Sequence, residues 1–249
     1  MRVVVVGASS GLGRSLGVGF AKNGASVALL ARRKDRIVEA AKDAGPGTLA
    51  ITCDVTDKAS CERAIDEAVK GLGGIDAVVY SAGIGALSRI EELDAETWHA
   101  AFGTNVVGAS FITAAALPHL KESSGSVLYL SSLSASLTAP WPGLAAYTVT
   151  KAALDKLVEA WRAEHPEVGL TRVIVGECSG GEGDNGSQLT AGWNPELAME
   201  MFPVWGARGL LNLDNLMDID HFVSAVEAVL QTGKTVGVPT VAITPRRSL

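Results

Sequence analysis

Seven short apolar runs recur along the chain, each separated from the next by a stretch long enough for one or two helices. This alternation constrains the fold more than any other feature. The runs are VVVV at 3–6, SVALLA at 26–31, TLAITCD at 48–54, IDAVVYSAG at 75–83, SVLYLSS at 126–132, LTRVIVG at 170–176 and VPTVAIT at 238–244. They are apolar throughout rather than at every second residue, so a sheet built from them is buried on both faces. The patterns between them predict helices over 15–25, 35–43, 58–70, 94–103, 105–120, 147–165 and 220–231. Repetition of this kind predicts an α/β fold, a doubly wound parallel sheet with helices on both faces. With 47% of its 249 residues apolar, the chain has ample material for a core, and one domain over 1–249 is the simplest organisation.

Charge and cysteine usage narrow the function classes. Acidic residues outnumber basic ones 27 to 21, and no basic stripe is present, which argues against a nucleic-acid partner. Three cysteines, Cys53, Cys61 and Cys178, with no CxxC, argue against a disulfide framework and a zinc site. No signal-peptide pattern precedes the first strand-like run at Arg2–Val3, and the apolar stretch around 106–117 is too short to span a bilayer. The expectation is a cytoplasmic protein with no metal and no membrane partner. The four histidines, His99, His119, His165 and His221, are scattered over predicted helices and read as structural or surface residues.

VVVVGASSGLG places Gly7, Gly11 and Gly13, with Ser9, Ser10 and Leu12 between them, at a strand-to-helix turn. Glycines there let the backbone turn tightly and let a pyrophosphate approach free helix N–H groups. The alternative is a plain Gly-rich turn. After the second strand, dinucleotide folds that prefer NAD carry an acid for the ribose hydroxyls. Here Ala31 is followed by Arg32, Arg33 and Lys34. Cations at a helix N-terminus oppose its dipole unless an anion sits among them. A 2′-phosphate is such an anion, so the sequence points to NADP(H), with Arg32 as the main contact and NAD(H) less favoured. A solvated basic turn is the competing explanation. Asp54, followed by Val55, either meets the adenine or caps the next helix.

YTVTK at 147–151 puts Tyr147 and Lys151 on one face of a helical turn. Alone, this pair is either a proton-transfer couple or the wet edge of an amphipathic helix.

Taken together, GASSGLG at 7–13, CDV at 53–55, SAG at 81–83, ETWHAAFGTNVVG at 96–108, SVLYLSS at 126–132 and YTVTK at 147–151 stand in the order and near the spacing of one family. The chain resembles a classical short-chain dehydrogenase/reductase, well over 2–175 and loosely over 218–244. The resemblance implies a Rossmann-type sheet and hydride transfer between NADP(H) and an alcohol or carbonyl substrate. It implies Tyr147 as acid/base, Lys151 tuning it and holding the nicotinamide ribose, Ser132 polarising the substrate oxygen and Asn105 holding a water. Ser81, Ala82 and Gly83 would join the cofactor wall. A lysine ammonium one helical turn away, together with a positively charged nicotinamide, is expected to lower the phenol from its ordinary value of about 10.

The departures are specific. Ser132 lies fifteen residues before Tyr147, and Ser134 lies at the family's usual thirteen; strand register favours Ser132, with Ser134 as the alternative. Ser81 replaces an asparagine, and Val6 a threonine. In GECSGGEGDNG at 176–186, Cys178 and Ser179 stand where the family has Pro-Gly, among Glu177, Glu182 and Asp184. This run reads equally as a cofactor lid or a surface loop. An insertion at about 183–217 would cover the substrate; with Trp193, Met199, Met201, Phe202 and Trp205, and Trp141 nearby, it suggests an apolar substrate or simply its own small core. A non-catalytic NADP(H)-binding sensor is the rival function. Family members pair through two long helices, here 105–120 and 147–165, so a homodimer or homotetramer is expected.

Overall fold

The computed structural model describes residues 1–178, 180 and 185–246. Ser179, Glu182 and Asp184 lie outside the described residues. The seven expected strands are present as β1 (Arg2–Val6), β2 (Ser26–Ala31), β3 (Leu49–Thr52), β4 (Ala77–Tyr80), β5 (Ser126–Ser132), β6 (Gly169–Val175) and β7 (Thr240–Ile243). They form one parallel sheet in the order β3-β2-β1-β4-β5-β6-β7. The order reverses direction between β1 and β4, which opens the crevice where doubly wound sheets bind ligands.

The VVVV run shows why both faces are covered. Val4 and Val6 pack into one core with α3 (Lys58–Leu72), α5 (Gly108–Ser123) and α7 (Ala145–Glu164). Val3 and Val5 pack into the opposite core with α1 (Gly11–Lys22), α2 (Lys34–Ala44) and α9 (Ile219–Leu230). All four valines are fully buried, each contributing roughly 1.5–3 kcal/mol of apolar transfer. A third, smaller cluster joins Leu87 and Leu144 to Met201, Trp205 and Leu210. It anchors α8 (Pro195–Ala207), a helix the periodicity did not reveal because Pro203 and Gly206 interrupt its pattern.

Two helix expectations need correction. The segments read as 94–103 and 105–120 are one continuous run, Ala95–Ser123. It comprises α4 (Ala95–Phe102), a π-helical turn at Gly103–Val107, and α5. The wider turn is stabilised from outside the helix, because the buried Tyr80 hydroxyl donates to the Thr104 carbonyl at 2.5 Å. By length and composition this run could cross a membrane, contrary to the reading from 106–117 alone. Its Ala109, Ile112, Ala116 and Leu120 are instead buried against the sheet, the placement of a core helix. The first helix also begins earlier than expected, at Gly11 rather than residue 15, directly on the Gly-rich turn. The short α6 (Leu133–Ser136) between β5 and α7 was not anticipated.

Candidate active site

At the β1–α1 turn Gly7 and Gly11 have φ of 84° and 56°, conformations that L side chains rarely adopt. A Cβ on Gly7 would lie 2.5 Å from the Ala82 nitrogen, and one on Gly13 would strike the Gly7 carbonyl oxygen. The turn is therefore a cradle that only glycine can form. Its residues line one end of an open cavity of about 1080 Å³ at the switch point. The N-cap residue Ser10 makes no side-chain cap hydrogen bond to α1, which leaves the first-turn amides turned toward an anion site.

The basic residues after β2 stand on the same wall. Arg33 donates to Ser9 Oγ at 2.8 Å and to Ser10 Oγ at 2.9 Å, while Arg32 is exposed at the rim. Burial, then the charges of Arg36 and Arg32, push the Arg33 guanidinium down from its ordinary value. Such crowding of cations is relieved by an anion. Both arginines line the cavity, and Arg33 is the one fixed to the glycine-rich turn. Val55 lines the cavity, but Asp54 does not, because Thr56 donates to its carboxylate through backbone and hydroxyl at 3.0 and 2.8 Å. Nor does Asp54 cap the next helix: Asp57 does, its carboxylate accepting from the Ala59 amide, and Asp54 closes a local turn with Thr56.

The other end of the cavity gathers β5, α6 and α7. Ser132 ends β5, and its Oγ lies 3.0 Å from Ser134 Oγ and accepts from the Ser134 amide at 3.3 Å. Tyr147 sits in the first turn of α7. Lys151, one turn on, is 4% exposed; its Nζ lies 5.7 Å from the Tyr147 ring centre and donates to the Leu130 carbonyl at 2.7 Å. Asn105, in the π turn, is fully buried behind the wall. It donates to Ile84 O and Thr150 Oγ1 and accepts from Ile84 N, so its amide braces the loop after Gly83. Ser81, Ala82 and Gly83 line the cavity just past the end of β4. The wall thus unites all the sequence candidates except Gly13, Asp54 and Asn105, which stand behind it.

Burial pushes the Tyr147 phenol up from its ordinary value, with Ser132 acting the other way. Lys151 alone does not offset that burial. Lys151 itself is pushed down to about 8 by burial, opposed by Asp155. In a water-poor wall, desolvation of both groups outweighs their mutual effect.

Several cavity residues carried no sequence signal. Ser187 covers the phosphate turn, its Cα 3.1 Å from where a Gly11 Cβ would stand, and Leu189 lies against Gly85 beside Tyr147. Cys178 pairs with Met217 in an isolated bridge, which ties the end of β6 to the stretch before α9. Trp205 is 1% exposed and donates to Pro142 O at 2.9 Å, with the rings of Trp141, Phe202 and Trp193 at 5.4, 5.4 and 5.8 Å. These rings form a small core, and they also line the cavity.

The model of the family "short chain dehydrogenase" matches residues 1–184. The chain belongs to that family. Among its members, the 11-beta-hydroxysteroid dehydrogenase A of Sesamum indicum is 35% identical over 180 residues, 70% of this chain and 51% of that protein. The 11-beta-hydroxysteroid dehydrogenase 1A of Arabidopsis thaliana is 37% identical over 167 residues, 65% of this chain and 47% of that protein. The chain therefore matches about half the length of these curated relatives. An alcohol dehydrogenase from the archaeon Thermococcus sibiricus, solved with 5-hydroxy-NADP, is 25% identical with a TM-score of 0.79, covering 97% of this chain and 94% of that one. The Rossmann-type fold of the short-chain dehydrogenases is thus shared across nearly the whole chain.

Proposed function

We propose that the protein is an NADP(H)-dependent oxidoreductase that interconverts an alcohol and a carbonyl on an apolar substrate. The observation that carries this reading is the single cavity joining a glycine phosphate cradle to Ser132, Tyr147 and Lys151. Gly7 packs on the Ala82 backbone and Gly13 on the Gly7 carbonyl, a turn tight enough to bring backbone amides to a pyrophosphate. Gly7 to Leu12, Arg32 and Arg33 would hold the phosphates; Ser81 to Gly83, Tyr147 and Lys151 would hold the nicotinamide end. When bound, the cofactor supplies or accepts the hydride at the carbinol carbon.

The protein's own work is at the substrate oxygen. Ser132 accepts from the Ser134 amide and shares a hydrogen bond with Ser134 Oγ in which either hydroxyl can donate; with Ser134 as donor, the Ser132 hydrogen is directed to that oxygen. Ser132, and not Ser134, is the hydroxyl that acts on Tyr147, which favours it as the site serine. Tyr147 gives its proton to the oxygen on reduction and takes it back on oxidation. Its raised value in the free site keeps it protonated, as an acid for reduction must be. The Lys151 ammonium stabilises the phenolate left behind. The substrate half is walled by Trp141, Trp193, Phe202 and Trp205, and these rings favour a bulky apolar alcohol or ketone. The insertion over 183–217 serves as its cover. Val107 and Val149 expose apolar surface on the long helices, which suits pairing with a second copy.

A panel of bulky and small ketones, followed at the NADPH absorbance, tests this function; turnover of bulky apolar members is expected. NADPH binding with no turnover across ketones and the corresponding alcohols would favour a sensor instead. The cofactor choice has its own test. Arg33→Ala and Arg32→Ala should each weaken NADPH roughly tenfold or more, the scale of a lost charge-assisted hydrogen bond, and leave NADH nearly unchanged. Equal weakening of both nucleotides by titration would exclude a 2′-phosphate contact.

A further inference from the structure

Behind Lys151, away from the cavity, α7 buries a second ionisable group. Asp155 is one helical turn beyond Lys151 on the same inward face and is 6% exposed. A carboxylate so deep is costly unless it is paired. Arg172 of β6 reaches it, Nη1 to Oδ2, at 3.4 Å. The Ser131 and Ser136 hydroxyls lie beside it. Among the described residues no donor meets either oxygen in good hydrogen-bond geometry, so the carboxylate is held by charge rather than by a full set of hydrogen bonds. The same peptide of β5 touches both groups: Leu130 gives its carbonyl to Lys151, and Ser131, the next residue, borders Asp155.

We propose that Asp155 is a positioning residue, a buried counter-charge backed by Arg172 that keeps the Lys151 amine protonated beneath Tyr147. The inference rests on the roles proposed above for Tyr147 and Lys151. The groups around it are few. Along α7 they are Lys151 itself and Glu159, which stands 3.9 Å from Arg172. From β6 comes Arg172, from β5 and α6 only serine hydroxyls, and from the π turn the neutral Asn105; Glu96 and His99 of α4 are exposed. Asp155 is the charge that opposes the effect of burial on Lys151. Burial in turn pushes Asp155 up, with Ser131 and then Arg172 opposing. The arrangement is a relay of compensation: arginine for aspartate, aspartate for lysine, lysine for the phenolate formed in turnover.

Asp155→Asn preserves shape and removes the charge. Two measurements read the result. In the cofactor-free protein, stability gained as Lys151 loses its proton should begin about one pH unit lower in the variant, seen as melting temperature against pH relative to Lys151→Met. In reduction with NADPH, the alkaline fall of kcat/KM should move to lower pH by a similar amount, with KM for NADPH changed less than twofold. Arg172→Gln should shift both curves the same way, Arg172→Lys should restore them, and these carry the test should Asp155→Asn fail to fold. Curves that overlay the wild type, with only a uniform drop in melting temperature, would reduce Asp155 to packing and overturn the proposal. An active Tyr147→Phe would remove the catalytic reading, yet the melting curves would still decide the link between Asp155 and Lys151.

Discussion

Tyr147→Phe should lower kcat by roughly a thousandfold or more while NADPH still binds, since removing a general acid–base group costs about 10²–10⁴ and Phe keeps the ring in place. The ring itself packs against Gly85 and the Leu189 loop, so the variant loses only the hydroxyl from the wall. Single-turnover reduction and fluorescence titration of NADPH separate the two effects. A loss in kcat far larger than the few-fold change in cofactor affinity from one missing nicotinamide-end contact is the expected pattern, because the proton moves only in the transition state. A variant as active as the wild type would remove Tyr147 from the chemistry, whatever the cavity looks like.

Lys151→Met should produce the opposite pairing, a dead enzyme that is more stable. Burial holds the Lys151 amine down from 10.5 to about 8. Below pH 8 the folded protein keeps a charge in a dry wall that the unfolded chain keeps in water, and this costs stability. Between about 8 and 10.5 the unfolded chain holds the extra proton, so stability rises with pH across that window. Methionine fills a similar volume without a charge. It leaves the Leu130 carbonyl without the lysine's hydrogen bond, so the net gain at pH 6 is on the order of 1–2 kcal/mol. The melting temperature of Lys151→Met should exceed that of the wild type at pH 6 and the two should converge as pH rises past 8. Turnover should fall at least a hundredfold. A variant less stable than the wild type at pH 6 would show that the amine is solvated after all. The pair of outcomes is that expected where a site holds an unfavourable group for its reaction.

Much of the architecture follows from local pattern. Each of the seven strands lies within an apolar run, and the pattern is plainest in the central β1 and β4, where burial on both faces leaves no polar positions to confuse the period. The catalytic-end residues Ser132, Tyr147 and Lys151 were legible because they sit on regular elements in a fixed order, and the sheet then carries them to one wall. What the pattern did not disclose depends on contacts between distant segments. The π turn at Gly103–Val107 exists because Tyr80, far back in the chain, meets the Thr104 carbonyl. Asp54 had the right place in sequence, but a local turn with Thr56 takes its carboxylate away from the cavity. Arg33 is tied to the glycine-rich turn by two serines on another loop, which position in the sequence did not disclose. The direction in which Tyr147 moves depends on how little water the wall admits, which spacing along a helix does not reveal.

The extra residue in that π turn is taken up on the spot. In an ordinary helix each residue advances the azimuth by about 100°. The wide turn holds one residue more without passing that rotation on, so α4 and α5 keep a common phase. Deleting one residue from 103–107 would regularise the run, leave α5 locked in the core by Ala109, Ile112, Ala116 and Leu120, and draw in the bulge that carries Thr104 and Asn105. Asn105 would leave Ile84 and Thr150, and with it would go the brace of the loop after Gly83, at the spot where Thr104 and Ile84 line the cavity. A deletion at this joint is thus felt in the cavity wall, whereas the same change in an exposed loop is absorbed as slack.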